Sequence, residues 1–258
     1  SCPKCGGLPE FRLDALRLDP QGFKNALRLR RGQNEGLWAS GVWRFTELLP
    51  PIPAESVVSL RENNAPLYEA HRAAAYAGLD DVHYLHLGTN PTGSFKDAGM
   101  TVAVSAAKAA GSRAVICAST GNTAASMAAY AARAGLQALV VVPRQGVSPA
   151  KVAQTLDYGA RVCAIDGDFD QALAQIRNLE DDGVTLVNSV NPYRIEGQKC
   201  AGFALLEALG WDPPDWLVLP GGNLGNATAF GKAFHEAKQL GLITKLPRVA
   251  VVQAAGAA

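Results

Sequence analysis

The feature that most constrains this chain is a change of pattern near Val82. From there to the C-terminus, short apolar or β-branched runs alternate with Ala-rich stretches of helical spacing. Val82–Leu87, Ala114–Ala118, Ala138–Val142, Arg161–Ile165, Thr185–Asn188, Trp216–Leu219 and Arg248–Gln253 read as strands. Lys96–Ala110, Thr123–Arg133, Pro149–Tyr158, Phe169–Leu179, Ile195–Leu209 and Asn226–Leu240 read as the helices between them. Gly111, Gly135 and Gly159 are placed to end three of these helices, and Asp168 to cap one. Alternation at this spacing implies right-handed βαβ units and a mostly parallel sheet, an α/β fold. Strands that are apolar throughout suit a sheet covered on both faces. Ligands on such sheets bind beyond the carboxyl ends of the strands, so the loops that follow strands should carry the chemistry.

The first sixty residues break this pattern. They hold the Arg-rich stretch Arg28, Arg30 and Arg31 and a Pro-rich turn at Pro50, Pro51 and Pro53. Their periodicity is poor, which predicts an N-terminal extension over 1–60 with little regular structure. Hydrophobic residues make up 48% of the chain and charged residues 18%, a globular profile. A net charge of +1 with no long basic run argues against nucleic acid or an anionic membrane as partner. No apolar run approaches the roughly 18 residues that span a bilayer, and no basic-then-apolar leader opens the chain. The chain begins without Met. Cys117, Cys163 and Cys200 sit in apolar strand or helix patterns and are expected as buried, reduced thiols. Cys2 and Cys5 resemble half of a zinc knuckle with no second pair, so no metal site is expected. His71, His83 and His86 have no spacing that suggests a metal or a triad, and His235 is expected on a helix surface.

Four loops concentrate polar and turn-forming residues at the ends of strands. In the first, His86-Leu87-Gly88-Thr89-Asn90-Pro91-Thr92-Gly93-Ser94-Phe95-Lys96-Asp97, a tight Gly/Pro turn leads to one lysine at a helix start. The helix dipole disfavours a cation there, and a lysine that loses basicity becomes a usable nucleophile toward an aldehyde. The plainer reading is a surface lysine on a helix capped by Ser94. In the second, Ala118-Ser119-Thr120-Gly121-Asn122-Thr123, small hydroxyl and amide side chains open a helix and suit a carboxylate. Ordinary capping accounts for them equally well. The third is Pro220-Gly221-Gly222-Asn223-Leu224-Gly225-Asn226. Its glycines let backbone N–H groups close around a phosphate, but its spacing matches neither a nucleoside triphosphate loop nor a dinucleotide fold. The fourth, Asn188-Ser189-Val190-Asn191-Pro192-Tyr193-Arg194-Ile195-Glu196-Gly197-Gln198-Lys199, holds donors for a phosphate or carboxylate, or is a polar loop with a solvated Arg194.

Together these strings resemble the threonine synthases, enzymes of the pyridoxal 5′-phosphate (PLP) fold type II, or tryptophan synthase β, superfamily. The resemblance rests on Asn90–Asp97, Ser119–Thr123, Asn188–Lys199 and Gly221–Asn226 in the family's order, and extends from about Ser40 to Ala258. Ser40-Gly41-Val42-Trp43, Phe169-Asp170 and Pro214-Asp215-Trp216 lean toward the plant-like branch. The resemblance implies a two-lobed fold with three-layer αβα lobes and PLP between them. Residues 61–97 and 191–258 would form an incomplete large lobe and 98–190 the small lobe, with further chain beyond Ala258 completing the pocket. It implies that Lys96 carries PLP as a Schiff base and moves protons. Asn122 would meet the ring hydroxyl, and Gly221, Gly222, Asn223, Leu224, Gly225 and Asn226 would cradle the cofactor phosphate. Ser119, Thr120 and Thr123 would meet the substrate carboxylate, and Lys151, Asn188, Ser189 and Arg194 the substrate phosphate. Phe95 would shape the pocket. The implied reaction converts O-phospho-L-homoserine and water to L-threonine and phosphate, in a homodimer when complete, in the cytoplasm or, for a plant source, the plastid. A serine/threonine deaminase-type lyase, which needs no substrate-phosphate site, is the alternative enzyme. A non-catalytic relative that binds PLP or a phosphorylated ligand is the other alternative. Asn63-Asn64-Ala65-Pro66-Leu67 stands where the family has Gly-x-Thr-Pro-Leu.

Overall fold

In the computed structural model, residues 7–13, 16–144, 149–167, 171, 176 and 183–256 are described. Cys2, Cys5, Asp168 and, apart from Gln171 and Ile176, the helix expected at Phe169–Leu179 lie outside them.

The N-terminal sixty residues depart from expectation. Helix α1 spans Pro20–Arg31. Asp19 caps it by accepting from the N–H groups of Gln21 and Gly22, and Pro20, which has no N–H to satisfy, stands in its first turn. Arg28, Arg30 and Arg31 complete its last turn, where cations suit the dipole. Phe23 and Leu27, one turn apart, are buried. Short 3-10 turns at Leu37–Ala39, Trp43–Leu48 and Ala54–Ser56 follow. Val42, Trp43, Phe45 and Leu48 share one apolar cluster with Phe203, Phe230 and Phe234. Residues 20–48 of this segment are therefore structured and contribute to the core. Its signal was missed because the apolar positions are spread over 3-10 turns, which keep neither helical nor strand spacing for long.

Strand β1 (Leu67–Glu69) and β2 (His83–Leu85) pair antiparallel, with α2 (His71–Ala77) between them in sequence. The strand expected near Val82 thus lies outside the parallel sheet. Then follow α3 (Lys96–Ala109), β3 (Ala114–Ala118), α4 (Asn122–Ala134), β4 (Gln137–Pro143), α5 (Pro149–Asp157), β5 (Arg161–Ile165) and β6 (Val184–Leu186). Helix α6 (Pro192–Ala208), β7 (Trp216–Pro220), α7 (Gly225–Gln239) and β8 (Arg248–Val252) complete the order. A four-stranded parallel sheet runs β5-β4-β3-β6, and β7 pairs parallel with β8. All of β3 is buried, as a central strand covered on both faces requires. β5 is an edge strand, and Cys163 on it is exposed, against the expectation of a buried thiol; Cys117 and Cys200 are buried. Helix α6 begins three residues earlier than its periodicity suggests. Asn191 caps it, accepting from the Tyr193 N–H at 3.0 Å, and Pro192 opens it.

Two contacts fix the site's frame. α3 and α6 touch backbone to backbone: a Cβ at Gly197 would lie 1.9 Å from the Ala98 carbonyl oxygen, and one at Gly99 2.7 Å from that of Arg194. Elsewhere on α6, Lys199 is fully buried between Glu196 (2.6 Å) and Glu236 (2.8 Å). Lys232 joins them 2.7 Å from Glu196 and donates to the Phe11 carbonyl at 2.5 Å, which ties the N-terminal segment to α6 and α7.

Candidate active site

Lys96 is the first residue of α3 and is half-buried. Ser94 does not cap the helix in the expected way. Phe95 is the cap residue, and the Ser94 hydroxyl accepts from the Lys96 N–H at 3.3 Å. The ammonium lies 4.2 Å from the centroid of the Phe95 ring, and no ion pair reaches it among the described residues. Burial, and after it the charge of Arg194, pull its pKa down to about 8. Roughly a tenth of such an amine is unprotonated at pH 7, against a negligible fraction for an ordinary lysine.

The next residue, Asp97, is fully buried and fastens the loop. Its carboxylate accepts from the Thr92 N–H at 2.8 Å, the Thr92 hydroxyl at 2.6 Å and the Ser126 hydroxyl at 2.6 Å. Burial pushes its pKa up, and the Ser126 and Thr92 hydrogen bonds oppose that shift. Sequence reading did not single out Asp97 or Ser126. An acidic residue in a first helical turn is common, and only burial distinguishes this one.

The Ser126 bond ties the early part of α4 to the start of α3, at the residue next to Lys96. Gly121 occupies the cap position of α4 with no side-chain cap bond, so capping does not consume Thr120, Asn122 or Thr123. Asn122 is exposed, and Ser119, Thr120 and Thr123 are half-buried; Ser119 accepts from the Gly121 N–H. Asn188 is buried, and its amide is committed. Nδ2 donates to the Ala118 carbonyl and Oδ1 accepts from the Ala118 N–H, both at 2.9 Å. That pair extends the β3–β6 ladder by a side chain and sets where the Ser119 loop leaves the sheet. Ser189 is exposed. Arg194 is 1% exposed rather than solvated. It donates to the Val187 carbonyl at 3.1 Å, its Nε has no partner among the described residues, and burial lowers its pKa to about 10, so it stays charged. Lys151 lies on α5, three residues before Gln154, whose amide donates to the Thr92 carbonyl at 3.3 Å. The Lys151 side chain lies outside what is described.

The Gly221–Asn226 loop follows β7 and opens α7. Gly222, Asn223 and Leu224 are exposed, and Leu224 takes a left-handed φ of 60° as the cap residue. A Cβ at Gly222 would meet nothing within 4 Å, and one at Gly225 would lie 3.9 Å from Ile195 Cδ1 on α6. Four helix N-termini are thus linked in one region. α4 is bonded to α3 through Ser126, α6 touches α3 at Gly99, and α7 touches α6 at Ile195. Each N-terminus presents unpaired N–H groups and positive potential, which together hold anions and disfavour a charged lysine. No cluster of His, Cys, Asp and Glu among the described residues could hold a metal ion, and no described helix is long and apolar enough to cross a membrane.

The chain belongs to the pyridoxal-phosphate dependent enzyme family, whose model matches residues 58–258. A threonine synthase of Synechocystis sp. is 52% identical over 223 residues, covering 86% of this chain and 58% of that protein. A threonine synthase of Methanocaldococcus jannaschii is 41% identical over 255 residues, 98% of this chain and 61% of that protein. The chain therefore spans about three fifths of the length of these relatives. Among solved structures, the processed form of threonine deaminase isoform 2 from Solanum lycopersicum superposes with a TM-score of 0.64 at 19% identity, over 98% of this chain and 64% of that one. That likeness establishes the fold type II architecture. The residues present also suit the family's cofactor: a half-buried amine of depressed pKa meets the need for an aldehyde-reactive nitrogen, and an open glycine turn at a helix start meets the need of a phosphate.

Proposed function

We propose that the protein bearing this chain is a threonine synthase, acting on O-phospho-L-homoserine and water to give L-threonine and phosphate. The observation that carries this reading is Lys96, a lysine of depressed pKa where four helix N-termini are linked. Two dianions, cofactor phosphate and substrate phosphate, need separate anion sites, and the loops at the starts of α6 and α7 offer them.

In this reading Gly221, Gly222, Asn223, Leu224, Gly225 and Asn226 hold the cofactor phosphate, and Asn122 hydrogen-bonds the ring hydroxyl. When bound, PLP supplies an electron sink for negative charge developing on the substrate carbons. Lys96 Nζ would be the attachment point for the cofactor aldehyde, and as a free amine it would move protons at substrate Cα, Cβ and Cγ. Ser119, Thr120 and Thr123 orient the substrate carboxylate. Ser189, Lys151 and the charge of Arg194 would draw the substrate phosphate, which leaves from Cγ with the electron pair of the C–O bond; a proton is returned to Cγ in its place, water adds its hydroxyl at Cβ with its proton passing to the phosphate, and Cα is reprotonated. Asn188 serves by shaping the Ser119 loop, since its amide is already paired. The lobe division 61–97 with 191–258, and 98–190, belongs to the same proposal; the four-stranded sheet, which lies within 98–190, supports it. A homodimer and a cytoplasmic location rest on the family resemblance, and sedimentation equilibrium tests the former.

The test incubates the complete protein with O-phospho-L-homoserine and measures phosphate and threonine together. Equal release of both, lost in Lys96→Ala, is expected. Phosphate without threonine sinks the synthase reading, and turnover of serine or threonine to a keto acid and ammonia replaces it with a deaminase. A visible absorption band that persists in Lys96→Ala removes Lys96 as the attachment point.

A further inference from the structure

Glu62 is fully buried in the segment before β1, and no ion pair reaches its carboxylate among the described residues. Neutral donors surround it instead. Its Oε1 accepts from the hydroxyls of Ser40 and Ser59, the latter at 3.1 Å. Its Oε2 accepts from the Leu60 N–H at 3.0 Å and the Tyr130 hydroxyl at 2.7 Å. The direction of these bonds is fixed. Ser40 Oγ accepts from the N–H groups of Val42 and Trp43, and Ser59 Oγ from that of Arg61, so both serine protons point at Glu62. Burial, and then the charges of Glu62 and Asp97, push the Tyr130 pKa up, so its hydroxyl keeps its proton and donates. Both oxygens of Glu62 therefore face donors, the arrangement of a charged carboxylate. Burial pushes its own pKa up, and the hydrogen bonds from Ser40 and Tyr130 oppose that shift. A buried acid without a counter-ion is an expensive way to fill a core, so its presence asks for a role beyond packing.

The partners of Glu62 join two parts of the proposed site. Ser126 and Tyr130 stand one turn apart on the same face of α4; the first donates to Asp97 and the second to Glu62. Asn63, the neighbour of Glu62, donates its N–H to Asn90 Oδ1 at 2.7 Å, in the loop that leads to Lys96. Glu62 thus ties α4 to the frame of that loop. Asn122 and Tyr130 lie on opposite sides of Ser126, each about 6 Å of helix away. With Ser126 held by Asp97, a displacement at Tyr130 returns at the start of α4 with about equal size and opposite sense. We propose that Glu62, through Tyr130, is a positioning residue that sets the tilt of α4 and with it the Ser119–Thr123 loop that takes the substrate carboxylate. This inference rests on the assignment of that loop under the proposed function. The carboxylate takes no part in the bond changes at Cβ and Cγ, so it is held alike in the ground and transition states. A misplaced loop therefore raises KM and leaves kcat unchanged.

The test follows phosphate release from O-phospho-L-homoserine by the complete protein loaded with PLP. Tyr130→Phe keeps the ring in the core and removes only the hydroxyl. It should raise KM about five-fold and change kcat by less than about two-fold. Inhibition by inorganic phosphate, which has no carboxylate, should be unchanged. Glu62→Gln leaves one acceptor oxygen where two are in use and should raise KM at least as far. Adding Tyr130→Phe to it should raise KM no further, because both changes remove the same bond. Thr120→Ala alters the loop directly and separates the two readings. Wild-type KM in Thr120→Ala overturns the assignment of the loop, and this proposal with it. A raised KM in Thr120→Ala with wild-type KM in Tyr130→Phe overturns the role of Glu62 alone. A lower urea midpoint in Tyr130→Phe without a change in KM shows a bond that only stabilises the fold. Phosphate inhibition weakened as much as substrate binding shows a general loosening of the site. Either of these results, or additive effects of Glu62→Gln and Tyr130→Phe, also overturns the proposal.

Discussion

Replacing Gly197 by alanine sets two effects against each other. Helix propensity alone favours the change by about 1 kcal/mol, because α6 is helical at this position. Packing opposes it. The new methyl would stand 1.9 Å from the Ala98 carbonyl oxygen, where ordinary contact begins at 3.4 Å. The colliding atom is backbone and cannot rotate away, so the two helices must part by about 1.5 Å along that line. Overpacking of a tight contact costs typically ~1–3 kcal/mol, and this case belongs at or above the upper end. The net expectation for Gly197→Ala is a loss of about 2–3 kcal/mol, read as a lower midpoint in urea followed by circular dichroism. The same displacement moves Lys96, two residues before Ala98, relative to Arg194, so the Lys96 pKa should also change. A variant as stable as the wild type, or more stable, would show that the helices yield freely and that propensity dominates. The reasoning about the α3–α6 contact would then be wrong.

Other expectations follow from the same geometry. Gly222→Ala adds a methyl that touches nothing, so the urea midpoint should hold while cofactor retention on dialysis falls, reporting crowding of the proposed phosphate turn. In protein freed of cofactor, acetylation of Lys96 read by mass spectrometry should rise with pH about a midpoint near 8, and Arg194→Met should move that midpoint upward. Because the folded pKa is depressed, the penalty on stability is fully present below about pH 8. It is relieved as pH rises toward the unfolded value near 10.4, so Lys96→Met should stabilise the cofactor-free protein most below that window. Asn188→Ala strands the N–H and carbonyl of Ala118 in a buried place and should cost about 2–4 kcal/mol by denaturant titration.

Local pattern carried much of the fold. The bounds of β3 and β5 coincide with the runs Ala114–Ala118 and Arg161–Ile165, and Gly135 ends α4 in the left-handed conformation expected of it. Sheet order was beyond reach, because nothing in the runs themselves says that β6 crosses back to pair with β3 rather than β5. The edge position that exposes Cys163 is a consequence of that order. The start of α6 was misplaced although Asn191-Pro192 is a cap followed by a first-turn proline; the polar residues around it masked the helical spacing. Of the proposed site, Lys96 and the glycine turn stand out in the sequence because their residue types are costly where they stand. The closed amide of Asn188 and the Ser126 bond to Asp97 depend on neighbours far away in sequence, and neither these nor the burial of Arg194 is announced by a local signal.

The buried group of Lys199, Glu196, Glu236 and Lys232 has a consequence over evolutionary time. Each charge in it is tolerable only because the others are present. Neutralising one member alone leaves an uncompensated charge in the interior, and the effects of paired changes will not add. Descendants of this chain should therefore keep all four or exchange them as a set, and the residues at 196, 199, 232 and 236 should covary as a block while exposed charges such as Arg144 and Asp166 drift independently.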